Sequence, residues 1–542
     1  MPWKTARCLG VSLIVAGVLN GLGGAMVDRA HAAGGELEIR TVDENGQLTP
    51  ARMHLRDEQG RPVRVRDYPY WNDHFVFPGK AILKLKTGTY RFEIERGPEY
   101  RTHHGHFIIE PNAGDNHEVT LSRFVDMKSE GWWSGDLHIH RSPDDIELLM
   151  RAEDLHVAPV ITWWNDNNHW AERGLPEHAL HQYGEHYFAH LLAGEDEREG
   201  GALLYFNLEQ PLAITGASRE YPSPVEFLKL ARKSAATPES AENGESGDEP
   251  PVNRLTAGES APLHVDIEKP FWWDMPIWVA SGMTHSLGVA NNHLQRDEML
   301  SNEAWGKPRD RITYPDPHGN GRWSQAIYFH LLNCGVRMPP SAGSASGVLK
   351  NPVGYNRVYV HCGDDFSYAN WWAGLRAGRV VITNGPLLRP EVNGELPGHV
   401  FTADAGQSIE LIPALKLSTK EKIAYLEVIR NGEVVDEVRL EDYARAGGRL
   451  PPVTFNESGW LVIRAVTNNT KTFRFAMTGP YYVQIGYQPR ISRASAQFFL
   501  DWVTERARRL KLDDPKQHAE VLRYHRAARD FWQAKLEAAN AP

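Results

Sequence analysis

The sequence predicts a multidomain chain in which an α/β barrel is flanked by N- and C-terminal β-sandwich domains. Residues 35–125 alternate apolar and polar positions in short runs such as LEIRTV, KAILKLKTG and TYRFEIERG, divided by turn signals at Glu44-Asn45-Gly46 and Gln59-Gly60. Strands that bury one face against a second sheet read this way. From residue 130 the alternation gives way to apolar runs separated by amphipathic stretches, the pattern of parallel strands joined by crossover helices. From about residue 391 the period of two returns. A chain of 542 residues also exceeds what one hydrophobic core organises.

Residues 1–32 read as an export signal outside the fold. Lys4 and Arg7 precede an apolar run from Val11 to Val27, and Ala30-His31-Ala32 fits a small-x-small cleavage site. Asn20 and several glycines make that run a poor membrane anchor, so the expected location is periplasmic or secreted, with no stable anchor after cleavage. The first sandwich spans 34–126. Its stretch from Gly79 to Tyr90 resembles the carboxypeptidase-regulatory or transthyretin-like modules of exported proteins. His103, His104 and His106 fall there and read as a solvated strand or turn.

Within the barrel domain, 130–390, VAPVITWW (157–164), ALLYFNL (202–208) and APLHVDI (261–267) read as buried strands, with helical material at Ile146–Leu155. Residues 234–260 are rich in Ser, Glu, Pro and Gly and offer almost nothing apolar to offset the entropy of ordering, so they read as a flexible insertion. The second sandwich spans 391–490, with Asn431-Gly432 as a hairpin turn. Residues 491–542 form a charged amphipathic helical tail, expected to pack on that sandwich.

The net charge is −10, and losing Lys4, Arg7 and Arg29 with only Asp28 makes the mature chain more acidic. Such a surface repels phosphate backbones and argues against nucleic acid as a partner. Of three cysteines, Cys334 and Cys362 remain after the signal, enough for one disulfide but without a spacing that demands it.

The chemistry concentrates at Gly131-Trp-Trp-Ser-Gly-Asp-Leu-His-Ile-His140. Extended backbone sends alternate side chains to one face, so His138 and His140 can converge on one ion. Pro143 ends the strand, and Asp145 follows closely enough to add a carboxylate oxygen. Imidazole with carboxylate suits Zn, Mn or Fe. A lone H-x-H is commonly chance, and here the context adds weight.

The string from Asp136 to His140 followed by Asp145 resembles the opening motif of the PHP (polymerase and histidinol phosphatase) metallohydrolase superfamily. Residues 328–347, YFHLLNCGVRMPPSAGSASG, and 376–388, RAGRVVITNGPLL, are similar to two further segments of its CehA/McbA-like branch. The resemblance covers about half the chain and implies a distorted (β/α)7 barrel. It also implies a bridging glutamate, for which Glu195 fits best, with Glu197 and Glu209 as competitors, and a strand-end histidine, His264. The chain departs from the family where a T-D-H is usual, carrying Thr162-Trp163-Trp164, and where G-S-D-x-H is usual, carrying Gly343-Ser344-Ala345-Ser346-Gly347. One or two divalent transition ions are therefore expected rather than three. Asp166, His169, His285 and His293 are the residues nearest to the gaps, with Asp166 or His293 as catalytic general base.

Trp132-Trp133, Trp163-Trp164 and Trp272-Trp273 flank the proposed ligand segments and offer either core packing or platforms for a carbohydrate-like or aryl substrate. The expected function is an exported metal-dependent hydrolase of a small ester, carbamate, amide or phosphoester. The alternative is a non-catalytic glycan- or ligand-binding protein on a degenerate barrel.

Overall fold

The computed structural model describes residues 34–236 and 261–542. The export signal expected at 1–32 and nearly all of the insertion expected at 234–260 lie outside the described residues. No helix among the described residues is long and apolar enough to cross a membrane.

The N-terminal domain follows its alternation. Lys80–Lys86 buries every second residue and pairs antiparallel with Gly34–Val42, which pairs parallel with Gly114–Thr120. Opposite lies a five-stranded sheet in the order Tyr70–Trp71, His74–Phe77, Ala51–Arg56, Gly88–Glu95, His103–Ile109. Ile39, Met53, Leu83 and Ile94 fill the space between the sheets with no exposed surface. Each such burial stabilises the fold by roughly 1.5–3 kcal/mol. His103, His104 and His106 stand exposed on the last strand.

In the central domain the hydrogen-bonded order runs β1 (Trp132–Gly135), β2 (Val157–Trp164), β3 (Tyr187–Arg198), β4 (Gly201–Phe206), β5 (His264–Ile267), β6 (Ser286–Ala290), β7 (Pro340–Ala342); the Leu137 N–H, just past β1, donates to Ala342 O of β7 at 3.0 Å, and β8 (Arg357–His361) pairs with β1. Pairing is parallel for β1–β2, β2–β3, β5–β6 and β6–β7. The expectation of parallel strands throughout needs correction, because β3–β4, β4–β5 and β8–β1 are antiparallel. For β3–β4 the physical reason is loop length: Glu199-Gly200 joins the two directly, and no crossover fits in two residues. Helices α1 (Ile146–Glu153), α2 (Pro224–Ala236), α3 (Met275–Ala280), α4 (Gly319–Asn333) and α5 (Tyr368–Arg376) lie along the chain of this domain.

Val380–Thr383 pairs with β8 on one side and with Phe475–Thr478 on the other, so the sheet runs without interruption from the central domain into the C-terminal one. Ile423–Arg430 and Glu433–Val438 form a hairpin whose turn residues Asn431 and Gly432 both take positive φ, at 55° and 94°. Turns of that kind match the twist of the strands they join.

The tail forms two helices, α6 (Arg493–Arg509) and α7 (Pro515–Glu537), packed against each other. They dock on α3 and α4 of the central domain, which corrects the expected docking on the sandwich. The central domain presents aromatic surface and open acceptors there: the indole of Trp502 donates to Trp273 O at 3.1 Å and that of Trp532 to Pro276 O at 3.0 Å. Arg506 closes the seam on Asp274 and Glu220, at 2.6 Å each. Cys334 and Cys362 are both free, and burial pushes each thiol up to about 12.

Candidate metal centre

Strand β1 ends at Gly135, three residues before His138, where the sequence suggested continuous strand. Asp136 accounts for the break. Its fully buried carboxylate accepts from the backbone N–H of His138 (3.0 Å), Ser344 (3.0 Å) and Gly354 (2.7 Å), replacing ladder bonds with side-chain bonds. Extended pairing resumes at Ile139, which bridges Val160 on one side and Ser346 on the other. The His140 N–H donates to Ser346 O at 2.7 Å. Ile139 turns outward into the core, and His138 and His140 turn together to the inside. Gly343 lies so near that a Cβ there would sit 2.5 Å from the His138 Cβ, so the closeness of this segment depends on glycine.

Three donor atoms meet. His138 Nε2 and His140 Nε2 lie 3.0 Å apart, and Glu195 Oε2 lies 3.5 Å from the first and 3.1 Å from the second. Ligands of a tetrahedral ion at about 2.0–2.1 Å stand roughly 3.3 Å from one another, so the triangle has the size of one face of such a shell. Glu195 Oε2 is buried with no hydrogen-bond partner, which is costly unless a cation or donor meets it. On the far side of the ring, His138 Nδ1 lies 3.3 Å from Glu268 Oε1. A carboxylate there fixes the ring so that Nε2 faces the other two donors, the arrangement that orients metal-binding histidines.

The cradle is electronegative. Burial works against a cationic imidazole, yet Glu195 and Glu268 together push His138 up to about 10. Burial likewise opposes the charge on Glu195, and the two histidines hold it well below the usual carboxylate range. Lys269 Nζ lies 2.5 Å from Glu268 Oε2 and 4.4 Å from the Trp272 ring centre, and the Trp272 indole donates to the same oxygen at 3.0 Å. Glu197 shares the strand face of Glu195 and is half-buried. Burial and the charge of Glu195 push it up to about 7.

A water-sized void of about 10 Å³ lies behind His138, lined by Asp266, Glu268, Asn291 and Gly343 among others. Asp266 accepts from the hydroxyls of Ser286 and Ser341, and burial, with Glu268 nearby, pushes it up to about 7.

Other residues named from the sequence stand elsewhere. Asp145 ends the short 3-10 turn Pro143–Asp145 and is not one of the converging side chains. His264 starts β5, fully buried: its Nε2 meets Ser286 Oγ at 2.7 Å, its ring lies 4.9 Å from Trp372, and burial holds it well below its ordinary value. It belongs to the core, and Glu268, just past the other end of the same strand, reaches the site instead. Asp166 is exposed and accepts from Gly216 N at 2.9 Å. His293 is buried with Nδ1 unpartnered; burial and Lys269 hold it at about 3. It lies close enough to feel Lys269 and Glu268 and stays neutral beside them. Glu209 is exposed. Of the paired tryptophans, Trp132, Trp133, Trp163, Trp272 and Trp273 are buried and serve the core; Trp164 alone is half-buried, its ring 5.1 Å from that of His140. Trp163 lies flat over Gly194, where any Cβ would collide with the indole.

Asp136 opens the motif in the sequence but carries no sign there of its bracing role, and neither Glu268 nor Lys269 stands out as a site residue. The signal for Glu268 was present: in His264-Val-Asp-Ile-Glu268 the period of two puts three polar side chains on one face, and ligands gather at the carboxyl end of such strands.

Among the described residues His54, Asp73 and His74 also bring donor atoms together. Arg56 donates to Asp73 at 2.7 Å and Arg52 Nη1 lies 2.6 Å from His54 Nε2. Guanidinium groups already supply the cations there. Between His138, His140 and Glu195 no arginine intrudes.

No family model matches this chain, and no curated protein matches it. Among solved structures, the TIE protein of Bacillus anthracis shows 25% identity over 20% of this chain, with a TM-score of 0.14. The chain spans 19% of the length of that protein, a likeness too small to bear on fold or function.

Proposed function

We propose that the protein is an exported metal-dependent hydrolase of the PHP type, built on a distorted barrel and acting on a small ester, carbamate, amide or phosphoester. The observation that carries this reading is the triangle of His138 Nε2, His140 Nε2 and Glu195 Oε2, with edges of 3.0, 3.1 and 3.5 Å and with Glu268 behind His138. These three side chains would hold one ion. A Zn, Mn or Fe ion bound there supplies Lewis acidity to a carbonyl or phosphoryl oxygen and acidity to a water.

The chain's own residues do the rest. Glu268 holds the His138 ring by Nδ1, so its Nε2 lone pair faces inward. Lys269 neutralises the outer oxygen of Glu268 and keeps a positive charge beside the site. Glu197, on the same face as Glu195 but nearer to solvent, is placed to take a proton from water and return it to a leaving group. We assign Glu197 the role expected from the sequence for Asp166 or His293. Half-buried Trp164 and His140 form the edge that a small substrate meets first. With five of six paired tryptophans in the core, a broad aromatic platform for glycan rings has little support.

The test is elemental analysis of the purified mature protein, joined to a panel of chromogenic phosphate, ester, carbamate and amide substrates. Stoichiometric transition metal with chelator-sensitive turnover is expected. Bound metal without turnover on any class would favour the non-catalytic binding protein. A metal-free protein after metal-replete expression would overturn the site.

A further inference from the structure

A second cavity lies apart from the histidine pair. At the junction of the two sandwiches and the central domain, a cleft of about 590 Å³ is lined by Arg52, Glu93, Glu95, Arg101 and Thr102 from the N-terminal sandwich, Glu153, Arg296 and Arg357 from the central domain, and Lys420, Glu421 and Arg474 from the C-terminal sandwich. Six cations face four carboxylates. Arg52 lies 2.6 Å from both Glu95 and Glu153, Arg474 lies 2.8 Å from Glu421, and Arg296 rests on Glu93. All four carboxylates are then engaged.

Three cations are left over. Arg101 has no carboxylate within ion-pair distance among the described residues, and its guanidinium lies 5.7 Å over the Phe124 ring. Lys420 Nζ reaches only Thr102 Oγ1 (3.3 Å), Gly97 O (3.4 Å) and, at 3.9 Å, Glu95, which Arg52 already holds. Buried Arg357 donates to the main-chain oxygens of Gly354 and Glu153. Burial lowers Lys420 and brings Arg296 down to about 10, and neighbouring guanidinium groups add to both effects. Like charges crowded around an open cavity are relieved by an anion.

We propose that this cleft binds a small anion carrying two or more negative charges, as carboxylates or phosphates, spanning Arg101 of the first sandwich and Lys420 of the second, and so ties both sandwiches to the central domain. The volume suits a small molecule, since such sites run from about 300 to 1,000 Å³. The charged lining disfavours a wholly apolar ligand, and with Glu93 on Arg296 and Glu95 on Arg52 the guanidinium groups already supply the cations that these carboxylates would otherwise draw. A polynucleotide is disfavoured by the chain's net charge of −10.

The test uses the full mature protein, titrated with tricarballylate in one arm and inorganic pyrophosphate in the other, at constant ionic strength with acetate as monovalent control. Calorimetry and thermal unfolding are the readouts. Saturable binding is expected for at least one trivalent or tetravalent probe and not for acetate, and the arm that responds names the group recognised. The Arg101→Ala, Lys420→Ala double variant removes one exposed and one half-buried side chain, neither in a close ion pair, and should fold normally. Its affinity is expected to fall about tenfold or more. Probes that act by withdrawing metal from the histidine site would act equally on this variant, so an unchanged response overturns the proposal. Absence of saturable binding by either probe up to about 10 mM overturns it as well.

Discussion

His138 Nδ1 lies 3.3 Å from Glu268 Oε1, on the side of the ring opposite to His140 and Glu195. The contact makes Glu268 a positioning residue, and it predicts a graded effect. Glu268→Gln leaves all three proposed ligands in place and is expected to weaken metal affinity about 10–100-fold. Competition against a chromogenic chelator measures this, and unchanged affinity would remove Glu268 from the site.

Replacing the ligands themselves has a sharper outcome. His138→Ala with His140→Ala is expected to abolish stoichiometric metal while circular dichroism shows the native content of strand and helix. Metal content equal to that of the parent protein would rule out this centre.

Glu197 separates binding from turnover. Its side chain is not a vertex of the donor triangle, so Glu197→Gln should keep metal content and lower kcat by roughly 10²–10⁴ against the best substrate. A variant of full activity would place the proton-transfer role elsewhere.

Acid should destabilise the fold through its buried neutral histidines. Burial holds His156 at about 3 and His190 at about 4, below the ordinary value of 6.5. The unfolded chain takes up protons below 6.5 that the folded chain refuses, so this stability is complete above 6.5 and is lost as pH falls toward 4. Each histidine contributes a slope of about 1.4 kcal/mol per pH unit within that window. His190→Phe, which keeps a ring beside Tyr368, should flatten the dependence by one such contribution in urea titrations at pH 7.5, 6 and 5.

The docked tail gives a stability prediction far from the chemistry. Trp532 is fully buried, stacks on Phe499 at 4.5 Å and donates to Pro276 O. Trp532→Ala is expected to cost about 3–5 kcal/mol of unfolding free energy. A loss below 1 kcal/mol in denaturant melts would mean that the tail folds apart from the central domain.

What the sequence by itself determined is what short-range periodicity encodes. KAILKLK announces its buried face, VAPVITWW its burial, Asn431-Gly432 its turn, and His138-Ile-His140 a shared direction for two imidazoles. Each rests on φ/ψ preferences and side-chain alternation within a few residues. Glu195 was readable through the family resemblance, but its own strand did not distinguish it from Glu197. The tertiary structure decided the rest. Asp136 draws its three N–H donors from residues 2, 208 and 218 positions away, Glu268 meets His138 across 130 residues of chain, and the tail docks on Trp273 and Pro276 from more than 200 residues away. Those meetings depend on strand register, on the order in which the sheet closes and on the surfaces left open, quantities that belong to the packed chain and that no local stretch of residues carries.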